Sequence, residues 1–238
     1  MPISVSIVGV APHFPEFRVG IVVAENLLIA DERPAALDAI IAQREEAARA
    51  RWRGTELSAI PGIAAWRSAY KAFGVKQTRY RSAVERLVKN NLAERPLPRV
   101  NAFVDLYNAV SITHVMPLGA DDLDKIAPPL VFRFTRDGDS FVDMSGGEGG
   151  EGDVAEAPHP GEVVYADAAK VLCRRWNWRQ DARSLIAPAT RRAVVTVQAN
   201  GAGDVEAAVV DLRDLIARFV GGETRAAILD TARPRADL

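Results

Sequence analysis

Cysteine is almost missing from this chain of 238 residues. Cys173 stands alone, which excludes an intramolecular disulfide and a cysteine-based metal site and leads us to expect a reducing compartment. Histidine is scarce too, at three. His13 lies between two prolines and reads as a loop residue, His114 as a partly buried polar group and His159 as another loop residue. Neither a Gly-x-Ser-x-Gly elbow nor a Cys/His pair is present, which removes the common covalent nucleophiles. Long apolar runs are lacking, and so is the basic-then-apolar order of a secretory signal, so a cytoplasmic location is expected. The net charge is only −1, so nothing global marks a nucleic-acid binder.

Charge is present locally. From Arg67 to Arg99 nine Lys/Arg stand against two Glu, and from Arg174 to Arg192 six Arg stand against one Asp. Two basic stretches can form a phosphate-binding surface on a neutral protein. Arg67, Lys71, Lys76, Arg79, Arg86, Arg174 and Arg175 are the residues expected to touch RNA; the competing reading is ordinary solvated helix faces. Between them, Gly119–Asp167 carries twelve acids against three bases. Asp121, Asp122 and Asp124 lack the further ligands of an EF-hand and read as a solvated turn. Ser145–Asp153 is glycine-rich, but its acids would repel an anion, so it reads as a surface loop. No metal site and no cofactor are expected.

With 48 % hydrophobic residues the chain can bury a full core. Ile3–Val10 and Val19–Ala24 read as strands. Helices are expected over Asp31–Arg53, Pro61–Phe73 and from a capping-box pattern at Ser82–Glu85. A further helix opens at Asn101. Leu130–Thr135 and Ser140–Met144 flank an Asp137-Gly138 hairpin signal. Gly161–Ala166 and Lys170–Trp178 are further strands, and Ala193–Gln198 is apolar on both faces and hence central. A last helix runs from Asp204 to Val220, followed by a frayed tail at Thr231–Leu238. Helices and strands mix without steady βαβ alternation, which implies α+β with mixed or antiparallel sheets packed with helices, in one domain over 1–238.

Two segments stand out chemically. Val171–Asp181 (VLCRRWNWRQD) concentrates two Trp and three Arg. Read as a strand, it puts Trp176 and Trp178 on one side and Arg175, Asn177 and Arg179 on the other. In Val100–Ile112 (VNAFVDLYNAVSI), Asn101, Asp105 and Asn108 share a helical face. Together they suggest a polar cleft. Trp176 and Trp178 are candidates to stack on a base or wall a pocket, Arg179 to stabilise an oxyanion or a phosphate, and Asn177, Asp181 and Thr190 to assist binding. The structural alternatives are a core role for the tryptophans and helix-to-loop anchoring for Asn101 and Asp105.

The run Leu97–Asn108 resembles the Asn-x-x-Val-Asp-x-x-Asn signature of the tRNA-editing domain of the phenylalanyl-tRNA synthetase beta subunit, formed by its paired third and fourth B modules. Gly161–Asp181, with Trp-Asn-Trp-Arg-Gln, is similar to the free-standing branch of that family. The resemblance spans roughly Pro12–Val197. It implies the fold of that domain, the tRNA acceptor end as partner, and hydrolysis in trans of the ester on a mischarged tRNA. An activated ester needs only positioning, a placed water and oxyanion stabilisation. By resemblance Asn108 orients water or substrate. The family's pocket histidine position is Gly119 here, and its tyrosine-reading glutamate aligns with Gln180. The catalytic set expected is therefore Asn108, Arg179 and Gln180, with Asn101 and Asp105 on the substrate side. The alternative is a non-catalytic RNA- or amino-acid-binding module of the same fold; a third is a small-ester hydrolase.

Overall fold

Two nine-residue strands, β2 (Phe17–Glu25) and β8 (Arg192–Asn200), supply the centre of the protein. Both are rich in β-branched residues, and they pair antiparallel from Phe17↔Asn200 to Glu25↔Arg192. In the computed structural model, which describes residues 2–75, 80–143 and 157–238, β3 (Leu118–Asp122) flanks β8 and β9 (Glu223–Leu229) flanks β2, giving the sheet order β3-β8-β2-β9. The second sheet has the order β10-β1-β4-β5-β6-β7. Its strands are β1 (Ser4–Ser6), β4 (Leu130–Phe134), β5 (Val163–Ala166), β6 (Val171–Arg174), β7 (Arg179–Gln180) and β10 (Arg235–Asp237). The β1–β4 pair is parallel and the other pairs are antiparallel, so the mixed α+β class holds.

Alternation along β2 and β8 sorts side chains to two cores. Val22, Ala24, Val195 and Val197 meet α1 (Ala35–Trp52), α4 (Ala102–His114) and α5 (Val205–Phe219) on one face. Val19, Ile21, Val23 and Val194 face the second sheet, where Phe132, Tyr165 and Leu172 close a second core together with Trp66 and Tyr70 of α2 (Pro61–Ala72). A small third cluster, Ile60, Ile63, Val84, Val88 and Val115, joins α2 to α3 (Ala83–Leu92) and to the end of α4. No helix among the described residues is long and apolar enough to cross a membrane.

The helices fall where their apolar spacing put them. Four local expectations change. The Thr231–Leu238 tail is not frayed: β10 pairs with β1, and β9 before it covers the edge of β2. Among the described residues the segment after the Asp137-Gly138 turn does not pair with β4; Asp139 accepts two bonds from Arg133, at 2.8 and 2.6 Å, and Asp143 forms an isolated antiparallel backbone bridge with Asp181. The acidic run is not a solvated turn either, since Asp121 and Asp122 are buried in β3. The strand expected through Trp178 ends at Arg174, for reasons that lie in the site itself. The glycine-rich segment, Lys76 and Arg79 fall outside the described residues.

Candidate functional site

After Arg174 the chain leaves the sheet because Trp176 has a place in the core. Arg175 and Trp176 adopt φ of 44° and 69°, a left-handed turn unusual for large side chains. The Trp176 ring packs edge-on against Phe14, Phe17 and Trp66 at centroid distances of 4.6, 4.8 and 5.2 Å. The turn is tied by Trp178 N–H donating to the Arg174 carbonyl at 3.1 Å. Trp176 and Trp178 therefore point to different environments, which overturns the shared-side reading. Trp176 is fully buried core and cannot stack on a base.

Several other sequence candidates are also absorbed by the structure. Arg174, 0 % exposed, makes paired bonds to Glu162 at 3.2 and 2.9 Å, and Arg175, 2 % exposed, reaches the same carboxylate at 3.0 Å. A buried guanidinium satisfied by a buried carboxylate cannot serve an RNA backbone, so the RNA-contact expectation fails for both. Asn177 accepts from the Tyr70 hydroxyl at 2.9 Å and donates to Gln198 at 3.1 Å, stitching the turn to α2 and β8. Asp181 is buried and accepts from Val142 N–H and from Arg183. Thr190 donates to Asp122 at 2.7 Å. These polar groups are buried and have their partners already.

The same holds at the foot of α4. Asn101 is its N-cap, accepting from Val104 N–H at 2.9 Å. Asp105 accepts from Arg33 Nε at 2.6 Å and from Val100 N–H at 3.0 Å, with both partners of the ion pair buried. Their role is to anchor the helix to the preceding loop, and the substrate-binding expectation is corrected accordingly. Asn108 is half-buried on α4, and its side chain makes no hydrogen bond among the described residues.

Of the expected catalytic set, Arg179 and Gln180 are neighbours on β7 and turn to different partners. Arg179 is held by Asp143 at 2.6 Å and lies over the Trp178 ring at 4.8 Å. Gln180 turns to the free side of β3, donating to the Ala120 carbonyl and to Asp121 Oδ1, the latter at 2.9 Å. Ser184 donates to the same Asp121 oxygen at 2.6 Å. Burial pushes the Asp121 carboxyl up to about 7, against the pull of these two bonds. Burial likewise raises the Cys173 thiol, which leaves it a poor nucleophile. At Gly119 an added Cβ meets nothing within 4 Å, so side-chain room exists at that position.

An accessible cleft of about 420 Å³ lies between α2, the start of α3 and the Trp178 turn. Arg67, Arg81, Arg86 and Lys89 line it with Trp178, against a single acid among the described residues, Glu85. A smaller cavity of about 40 Å³ adjoins it, sharing Arg67, Arg81, Ser82 and Glu85 and adding Tyr80. Glu85 does not close a capping box with Ser82. It takes paired bonds from Arg67 at 3.1 and 2.7 Å and lies 3.3 Å from Arg81 Nε, holding both guanidinia at the cleft wall. Trp178 meets Tyr80 edge-on at 4.9 Å and carries Arg175 at 4.5 Å. Of the expected RNA contacts, Arg67 and Arg86 are in the cleft, and Lys71 is exposed on the last turn of α2. Reading the basic stretch as a set already contained Arg81 and Lys89; the roles of Ser82 and Glu85 were missed because their spacing fits a helix cap equally well.

The arrangement defines a class first: an α+β double-sheet domain with a cationic, aromatic-edged cleft. The B3/4 domain family matches residues 65–208, more than half of the chain, and this chain belongs to that family. A search of curated proteins found no match. Among solved structures, the chain is similar to an N-terminal fragment of the phenylalanyl-tRNA synthetase beta subunit from Pyrococcus horikoshii, at 14 % identity and a TM-score of 0.45. That alignment covers 93 % of this chain and 50 % of the fragment, so the chain spans half the length of the structure it matches.

Proposed function

We propose that this chain binds the acceptor end of a tRNA in the cleft beside Trp178, as a synthetase-related module. The observation that supports this reading is the cleft itself, with four cations against one carboxylate and indole and phenol rings at its edge. Single-stranded RNA is commonly held by such a pairing of cationic groove and aromatic side chains. Membership of the B3/4 family, together with the resemblance of Leu97–Asn108 to the synthetase signature, points to tRNA among RNAs. The test is affinity for tRNA and for a CCA-ended hairpin across a salt series. Affinity is expected to fall log-linearly with salt, and Arg86→Glu with Lys89→Glu to weaken binding at least about tenfold and flatten the slope. Absence of binding to either RNA at about 50 mM salt, low enough for phosphate contacts to be strong, overturns the reading.

Hydrolysis of a mischarged ester is the second reading, and the Asp121–Gln180–Ser184 group favours it. A general base works best when it titrates near the operating pH, as Asp121 does at about 7. Against this stands the engagement of Arg179 by Asp143 and of Gln180 by β3. A panel of mischarged tRNAs decides: amino-acid release that Asp121→Asn abolishes supports hydrolysis, and an intact panel removes it while leaving the binding role in place.

A further inference from the structure

We propose that the seam between the two cavities, at the start of α3, is a phosphate subsite, a reading that rests on the acceptor-end assignment above. Three independent features meet there. First, Ser82 occupies the N-cap position of α3 and yet makes no cap bond. The residue is 2 % exposed, and its buried hydroxyl has no hydrogen-bond partner among the described residues. A buried hydroxyl left unpaired is costly, and Ser82 lines both cavities, where a ligand oxygen would give its hydroxyl an acceptor. Second, Arg67 and Arg81 flank Ser82 and are fixed by Glu85, so their positions are set before any ligand arrives. Arg67 Nη1 makes no bond among the described residues, because Glu85 takes only Nε and Nη2. The single carboxylate is thereby neutralised twice over, and Arg86 and Lys89 add positive charge at the rim. Third, the positive end of the α3 dipole points into the same seam. Two of its first N–H groups are already used, Ala83 by the Asn177 carbonyl and Glu85 by the Ser82 carbonyl. The helix therefore contributes field rather than a full cradle of donors, and the side chains do the recognition.

This chemistry selects a tetrahedral dianion or phosphodiester over a neutral group: the guanidinium N–H groups that Glu85 leaves free donate to two oxygens and a hydroxyl donates to a third. The phosphate could come from an RNA strand or from a free nucleotide, and the experiment separates them. Calorimetric titration of the full chain uses inorganic phosphate, adenosine 5′-monophosphate, adenosine and the trinucleotide CCA. Phosphate, the monophosphate and CCA are expected to bind, and adenosine is not. Ser82→Ala is expected to weaken the monophosphate about tenfold, the loss of one bond to a charged group, without lowering Tm, because no cap bond is lost. Arg81→Gln, which keeps a polar side chain but removes the charge, is expected to weaken it as well.

Equal affinity for adenosine and its monophosphate overturns the proposal, as does an unchanged monophosphate affinity in Ser82→Ala or failure of every phosphate-bearing probe to bind. If the monophosphate binds through Ser82 while CCA and tRNA do not, the subsite stands as a nucleotide site and the tRNA reading falls. If tRNA binds and Ser82→Ala changes nothing, the subsite falls and the tRNA reading stands.

Discussion

At the scale of single residues, polar side chains divide by whether their partners are already inside the fold. Arg174 and Asp105 have chemistry suited to ligands, but Glu162 and Arg33 consume it. Gly119 is the opposite case. It stands on an edge strand where a Cβ has open space. Replacing a strand glycine removes unfolded-state entropy, a gain of roughly 0.5–1 kcal/mol. Gly119→His is therefore expected to keep or raise Tm in thermal unfolding. A fall of several degrees would mean that the position is packed.

At the scale of elements, α2 is the member that couples the sheets to the cleft. Its Trp66 and Tyr70 enter the core between the sheets, and its Arg67 faces the cleft. The close approach that lets it do so is at Gly62, where an added Cβ would lie 2.3 Å from the Val115 carbonyl. That carbonyl is backbone at the end of α4 and cannot swing aside. Gly62→Ala is expected to cost about 1–3 kcal/mol, as overpacking does, seen as a lower urea midpoint at unchanged m-value. An unchanged midpoint would show that α2 can slide away from α4 freely.

At the scale of the whole molecule, buried and paired carboxylates set opposing pH windows. Burial acts to raise Asp211, but bonds from His114 and Arg44 outweigh it and bring the carboxyl down to about 2 from 3.8. Between those values the unfolded chain holds more protons than the native one, so stability rises with pH. Asp139 and Asp167 are shifted the same way, by bonds that outweigh burial. Asp121 is reversed. Its folded value near 7 exceeds the unfolded 3.8, so the native state holds the extra proton and stability falls across that interval, by at most about 1.4 kcal/mol per pH unit. Chemical denaturation against pH is expected to show a rise below about pH 4 and a decline from there to about 7. Asp121→Asn should flatten the decline and leave the acid limb. A decline that survives this substitution would assign it to another group.

The sequence by itself determined the α+β class, the helices and their inward faces, and the central position of β8. Periodicity and caps act between residues a few places apart, and that information is local. It also carried the basic stretch from Arg67 to Lys89 that edges the cleft. Only the tertiary structure decided which polar residues were left over for a ligand. The Trp176 turn depends on aromatic partners from Phe14, Phe17 and Trp66, and the fate of Arg174 on a glutamate twelve residues earlier across a strand pair. Likewise, Ser82 and Glu85 carry the spacing of a cap, but Arg67 and Arg81 draw the glutamate side chain away, and the Glu85 N–H goes to the Ser82 carbonyl rather than to the hydroxyl. Competition for hydrogen bonds among groups distant in sequence is settled by packing, and packing has no local signature.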